Sequence, residues 1–142
     1  MCNFFNSNDF PKPLLDRATL RGREFARQLD DIPSVIEAVR VAGYVNIGGQ
    51  LQFRLKDGGT CECYEVEVNT SNILENLDRS ELVAVSAVEA LRQYIGLPNE
   101  FDLMTQGRAA FGRVFDEAAA TENDMREAMC FVWYACKVSE IE

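Results

Sequence analysis

The side chains in this sequence best spaced for chemistry are carboxylates and thiols. Glu62, Glu65 and Glu67 lie along a stretch that alternates polar with apolar residues, and Asp116, Glu117, Glu122 and Asp124 form a second acidic group. Residues two apart on one strand face are about 6.6 Å apart, close to two steps of roughly 3.4 Å along one DNA strand. Such a row offers negative charge to a basic protein surface at a phosphate-like spacing. For paired-carboxylate catalysis the pattern gives no sign that two acids converge in a cleft.

The thiols point away from metal and nucleophilic chemistry. Cys61 and Cys63 share one face of a strand, whereas Cys130 and Cys136 are six residues apart, about 240° around a helix at 3.6 residues per turn. Zinc sites use pairs two to four residues apart on turns, so buried cysteine acting as a small hydrophobe is the better reading. Cys2, near the terminus, has no neighbour that would lower its pKa. The sequence contains no histidine, which removes the commonest general base, metal ligand and partner of a nucleophile. Gly48-Gly49 and Gly58-Gly59 lack the spacing of a phosphate loop. No catalytic residue, metal or cofactor is expected.

Charge is unevenly placed. The net charge is −9. Residues 1–56 hold eight Lys/Arg against six Asp/Glu, while 57–142 hold six against seventeen. An acidic surface repels nucleic acid and anionic lipid and attracts basic proteins. Arg17, Arg21, Arg23 and Arg27 are interleaved with Asp16, Glu24, Asp30 and Asp31, the pattern of a solvated face. Odd, irregularly spaced cysteines, no apolar run near 18 residues and no signal-peptide pattern place the chain in the cytoplasm, away from membranes.

The elements that carry these residues follow from periodicity. The 142 residues fit a single domain. Residues 1–10 read as a tail. From Pro11, the stripe Leu14, Leu15, Ala18, Phe25, Ala26 and Leu29 predicts a helix, weakened at Gly22. A short helix follows Asp31, with Val35, Ile36 and Val39 buried and Gly43 as its stop.

Residues 45–68 read as a β-hairpin turning at Asp57-Gly58-Gly59, with room for a third strand. A three-residue loop there sets Leu55 against Cys61, Arg54 against Glu62 and Phe53 against Cys63. The apolar parity of the second arm then changes near Cys63-Tyr64, so one extra residue in a β-bulge is expected. Past it, Leu51 faces Val66, Gln52 faces Glu65 and Gln50 faces Glu67. Arg54 would neutralise Glu62, leaving Glu65 and Glu67 as the primary contacts.

A helical half over 78–138 completes the chain. Asp78 and Glu81 suggest a capping box, with Leu77 stapled to Leu82, for a helix ending at Gly96 and Pro98. Another helix is expected over about 99–119, and a last one is capped between Thr121 and Asp124. The nine apolar residues of 128–136 are read as its continuation, with a buried strand as the competing reading. The expected fold is therefore α+β, an antiparallel hairpin packed on one face by four to five helices.

The functional expectation is a non-catalytic acidic protein-binding module. It would inhibit or regulate a partner by occupying a basic, nucleic-acid-handling surface, as a nucleic-acid mimic in the manner of small phage or mobile-element anti-defence proteins. Two further classes stay open. A homodimeric chaperone or immunity-type protein would use Met129, Trp133 and Tyr134 as its interface. A small-molecule-binding protein or enzyme would need a pocket between sheet and helices.

Overall fold

A computed structural model describes residues 18–21, 24–55, 59–118 and 128–141. The fold is α+β, and its centre is a five-stranded antiparallel sheet of order β1-β2-β5-β3-β4. The strands are β1 (Thr19–Arg21), β2 (Glu24–Arg27), β3 (Tyr44–Arg54), β4 (Thr60–Asn69) and β5 (Met129–Lys137). The helices are α1 (Ile32–Val41), the single turn α2 (Ser71–Leu74), α3 (Leu82–Ile95) and α4 (Glu100–Ala118). Among the described residues no helix is long and apolar enough to cross a membrane.

The apolar run is a strand, which corrects the helix expected over 128–136. β5 sits between β2 and β3, and both of its faces are covered. Met129, Phe131, Trp133 and Ala135 join the main core, while Cys130 and Val132 pack with Ala26 on the reverse side. A strand buried on both faces gains from apolar groups at every position and shows no alternation, so its periodicity cannot be told from that of a buried helix.

The helix expected from Pro11 to Leu29 is also overturned where the chain is described. Thr19–Arg21 and Glu24–Arg27 pair with each other, and Ala26 and Arg27 lie opposite Val132 and Phe131 of β5. Pairing here satisfies the second edge of β5, which would otherwise leave buried N–H and C=O groups without partners. The helical stripe was already interrupted at Gly22, so the tertiary requirement wins. Residues 1–17 and the capping segment 121–124 lie outside the described residues.

Of the remaining helices, α1 and α3 follow the sequence, α4 is kinked at Phe111, and the single turn α2 was not expected. α1 carries Pro33 in its first turn and buries Ile32, Val35, Ile36 and Val39. It stops at Gly43, whose φ is +80°. α3 begins after a 3-10 turn, Arg79–Glu81, and Asp78 makes no side-chain cap to it, so the expected capping box does not form. With α4, these helices place Ala87, Ala90, Leu103 and Phe115 against Leu51, Phe53, Phe131 and Trp133 on one face of the sheet.

Side chains tie the layers together. Gln93 of α3 donates to the Asn69 carbonyl at 3.0 Å and accepts from the Asn69 N–H at 2.9 Å, which closes off the end of β4. Glu89 accepts from Gln93 and Arg92, and these bonds, chiefly the one from Arg92, hold its pKa down to about 2. A carboxylate with a depressed folded pKa stabilises the fold above its unfolded value and loses that contribution as pH falls toward the folded one. Glu89→Gln is therefore expected to cost at most about 1 kcal/mol at pH 7, given the exposure of Arg92. Urea unfolding of both proteins should show the difference shrinking between pH 4.5 and 2.

Candidate functional site

The polar positions of β3 build a lane of side chains on the sheet face opposite the main helical core. Gln50, Gln52 and Arg54 alternate with Leu51 and Phe53, so they emerge together on the other side. Across the ladder, Gln52 lies opposite Glu62 and Gln50 opposite Glu67. From β5, the Tyr134 hydroxyl accepts a hydrogen bond from Gln50 Nε2 at 3.2 Å.

The chemistry of the donors fixes the order of the lane. Arg54 can only donate, and its Nε reaches Gln52 Oε1 at 3.1 Å. The amide nitrogen of Gln52 is then directed at Glu62, reaching Oε1 at 2.9 Å. The Tyr64 hydroxyl donates to the other oxygen of Glu62. Arg54 also donates to the Thr19 carbonyl, which joins the lane to β1. Gln52 is 1% exposed and Arg54 8%, so this end is built into the protein. Glu62 is thus oriented by an amide and a phenol, while Arg54 lies opposite Thr60 rather than Glu62 and is linked to Glu62 through Gln52.

In comparisons with known proteins, no family model, curated protein or solved structure matches this chain.

The register differs from expectation in two ways. The N–H of Leu55 bonds the carbonyl of Gly59 at 2.8 Å, so the hairpin pivots one residue earlier than Asp57-Gly58-Gly59 would have it; Asp57 and Gly58 lie outside the described residues. Phe53 faces Cys61 rather than Cys63 and Arg54 faces Thr60 rather than Glu62, each partner shifted by two. A shift of two keeps every side chain on its expected face, because the strand period is two. The expected bulge is present and larger. Gln50 faces Glu67, as expected, but Leu51 faces Cys63, so Tyr64, Glu65 and Val66 are all extra on β4.

Cys63 borders this bulge, and burial pushes its thiol pKa up, against the opposing effect of the Val66 and Glu65 backbone. Cys61, Cys63, Cys130 and Cys136 are all buried, the placement of small apolar side chains. Among the described residues no group of His, Cys, Asp or Glu side chains is placed to hold a metal.

The sequence-derived site residues fall into three places. Glu62, Glu65 and Glu67 are together on β4, an edge strand, with Glu65 and Glu67 exposed. Among the described residues, neither Glu65 nor Glu67 makes an ion pair or a side-chain hydrogen bond. Asp116 and Glu117 are in the last turn of α4, their side chains outside the described set, as are Glu122 and Asp124 entirely. Met129 and Trp133 are buried inside the chain's own core, whereas Tyr134 joins the polar lane. Gln50, Gln52 and Tyr64 were not singled out as site residues. The signal of Gln50 and Gln52 was visible in the polar phase of β3, but it, like the place of Tyr64 on β4, acquires meaning only from the cross-strand register.

Proposed function

We propose that this protein is a non-catalytic acidic binding module whose β4 face occupies a basic, nucleic-acid-handling surface of a partner protein. The observation that carries this reading is the exposed pair Glu65 and Glu67 on an edge strand, beside a Glu62 that Gln52 and Tyr64 hold in place. The bulge keeps both Tyr64 and Glu65 outward, and Tyr64 is 66% exposed. An exposed phenol next to carboxylates suits arginine, which pairs with the acids and stacks on the ring. Anchors of this type are frequent where basic and acidic surfaces meet.

The carboxylates favour attraction at long range more than tight packing, so association should weaken as salt rises. Affinity capture from the native host, repeated with excess duplex DNA, is the test. A basic partner displaced by DNA is the expected result. Glu65→Lys with Glu67→Lys should lose that partner by at least tenfold in affinity, since two attractive charges become repulsive. Capture of the same partner at the same affinity, by a variant of equal thermal stability, would overturn the reading.

A further inference from the structure

We propose that a cleft of about 650 Å³ on the helix side of the sheet binds a small organic ammonium ion with a flat apolar body. The cleft lies between the segment leading into α1, the C-terminal end of α3 and the start of β5. Its size is within the range of ordinary small-molecule sites.

Its walls select the body of the ligand. Leu29, Pro33, Ile95, Leu97 and Pro98 present an apolar surface, with the buried Leu103, Met129 and Phe131 beneath it. Tyr94 stands edge-on to Phe131 at 5.3 Å and to Trp133 at 6.5 Å, so the inner wall is a rigid aromatic cluster. Tyr94 also donates to the Leu29 carbonyl at 2.7 Å, which ties α3 to the segment ahead of α1. Proline at 33, and at 98 just beyond the end of α3, stiffens the two sides of the opening. A preformed cleft loses little affinity to reorganisation.

The polar groups select the head. Among the described lining residues Asp30 is the only charged group, and none is a cation. The phenol of Tyr94 stays protonated, because burial and then the charge of Asp30 push its pKa up. Its hydrogen is committed to Leu29, so its oxygen can only accept. A carboxylate, a second acceptor and an aromatic wall together favour an alkylammonium and repel an anion. This site is on the opposite face of the sheet from Glu62 and Glu67, so it stands or falls separately from the partner-binding reading.

Tryptamine is a suitable probe, measured on the full chain by titration calorimetry and saturation-transfer NMR. A Kd of about 1 mM or tighter is expected for a ligand of this size in an unoptimised site. Indole-3-propanoate, which replaces the ammonium by a carboxylate, should bind at least tenfold more weakly. Asp30→Asn should weaken tryptamine by tenfold or more. Ile95→Trp, at an exposed position lining the cleft, should block it. Both substitutions are at exposed side chains, and thermal unfolding checks that the fold is kept. The proposal is overturned if tryptamine does not bind, if the carboxylate analogue binds equally, or if either folded variant binds tryptamine as the parent does.

Discussion

Asn46→Leu is expected to destabilise the protein by about 2–6 kcal/mol, because two buried polar groups each lose their partner at about 1–3 kcal/mol. Asn46 is 0% exposed and sits where sheet and helices meet. Its Oδ1 accepts from Trp133 Nε1 at 2.9 Å, and its Nδ2 donates to the Ile36 carbonyl at 3.2 Å. Its backbone is held as well, by Ser86 Oγ at 3.0 Å and by Thr70 Oγ1 at 2.7 Å. One side chain therefore links β3 to β5 and α1, and one peptide links it to α3 and to the turn entering α2. Leucine fills similar volume but leaves the indole N–H and the Ile36 carbonyl without partners in a site that water does not reach.

A companion substitution separates polarity from shape. Asn46→Asp keeps an acceptor for Trp133 but buries a charge and removes the donor to Ile36. The folded pKa of that carboxyl would be raised, so its penalty is largest at neutral pH and falls as pH drops below the folded pKa, where the protonated acid can donate again. Urea unfolding followed by Trp133 fluorescence would measure both variants. A loss under about 1 kcal/mol for Asn46→Leu would show that the network is not cooperative.

How much of this was legible in the sequence depended on how far each element's partners lie along the chain. α1 and the β3–β4 hairpin depend on local periodicity and short loops, and both appear where the pattern puts them. The face assignment of Glu62 and Glu67 survived an error in the pivot because a two-residue slip conserves parity. β5 and β2 depend instead on contacts about 75 to over 100 residues away, and there local preference misled. The apolar run of 128–136 is helix-like or strand-like according to what covers it. The size of the bulge was hidden too, since alternation reveals that parity changes but not whether one or three residues intervene. The cleft lining draws on Leu29, Tyr94 and Phe131, residues that no motif connects.

The lane and the bulge both depend on how closely the central strands approach at Gly48 and Gly49, and here a second large effect is expected. A Cβ on Gly48 would lie 1.9 Å from the Val68 carbonyl oxygen, and one on Gly49 would lie 1.8 Å from that of Val132. These obstacles are backbone atoms of the strands on either side, so no rotamer change relieves them. Reaching ordinary contact at 3.4 Å would move a neighbouring strand far enough to break ladder hydrogen bonds. Gly48 also has φ of +138°, a conformation that costs a residue with a side chain roughly 1–3 kcal/mol more. Gly48→Ala and Gly49→Ala should each cost more than about 3 kcal/mol, a large share of the roughly 5–15 kcal/mol that holds a domain of this kind folded.

Gly43→Ala provides the contrast, since Gly43 has φ of +80° but nothing within 4 Å of an added Cβ. It carries the dihedral penalty alone, about 1–2 kcal/mol. Urea unfolding of the three variants should therefore rank Gly43→Ala as clearly the mildest. Equal losses at all three positions would mean that backbone dihedral, rather than strand approach, governs this region. The ranking bears on function because Gly49 pairs with Val68 and Gln50 with Glu67, immediately beside the bulge that turns Tyr64 and Glu65 outward. Widening the gap at Gly48 would release the register that aligns the acidic row, so under the proposed function affinity for a basic partner should fall in the Gly48 and Gly49 variants even at temperatures where they remain folded.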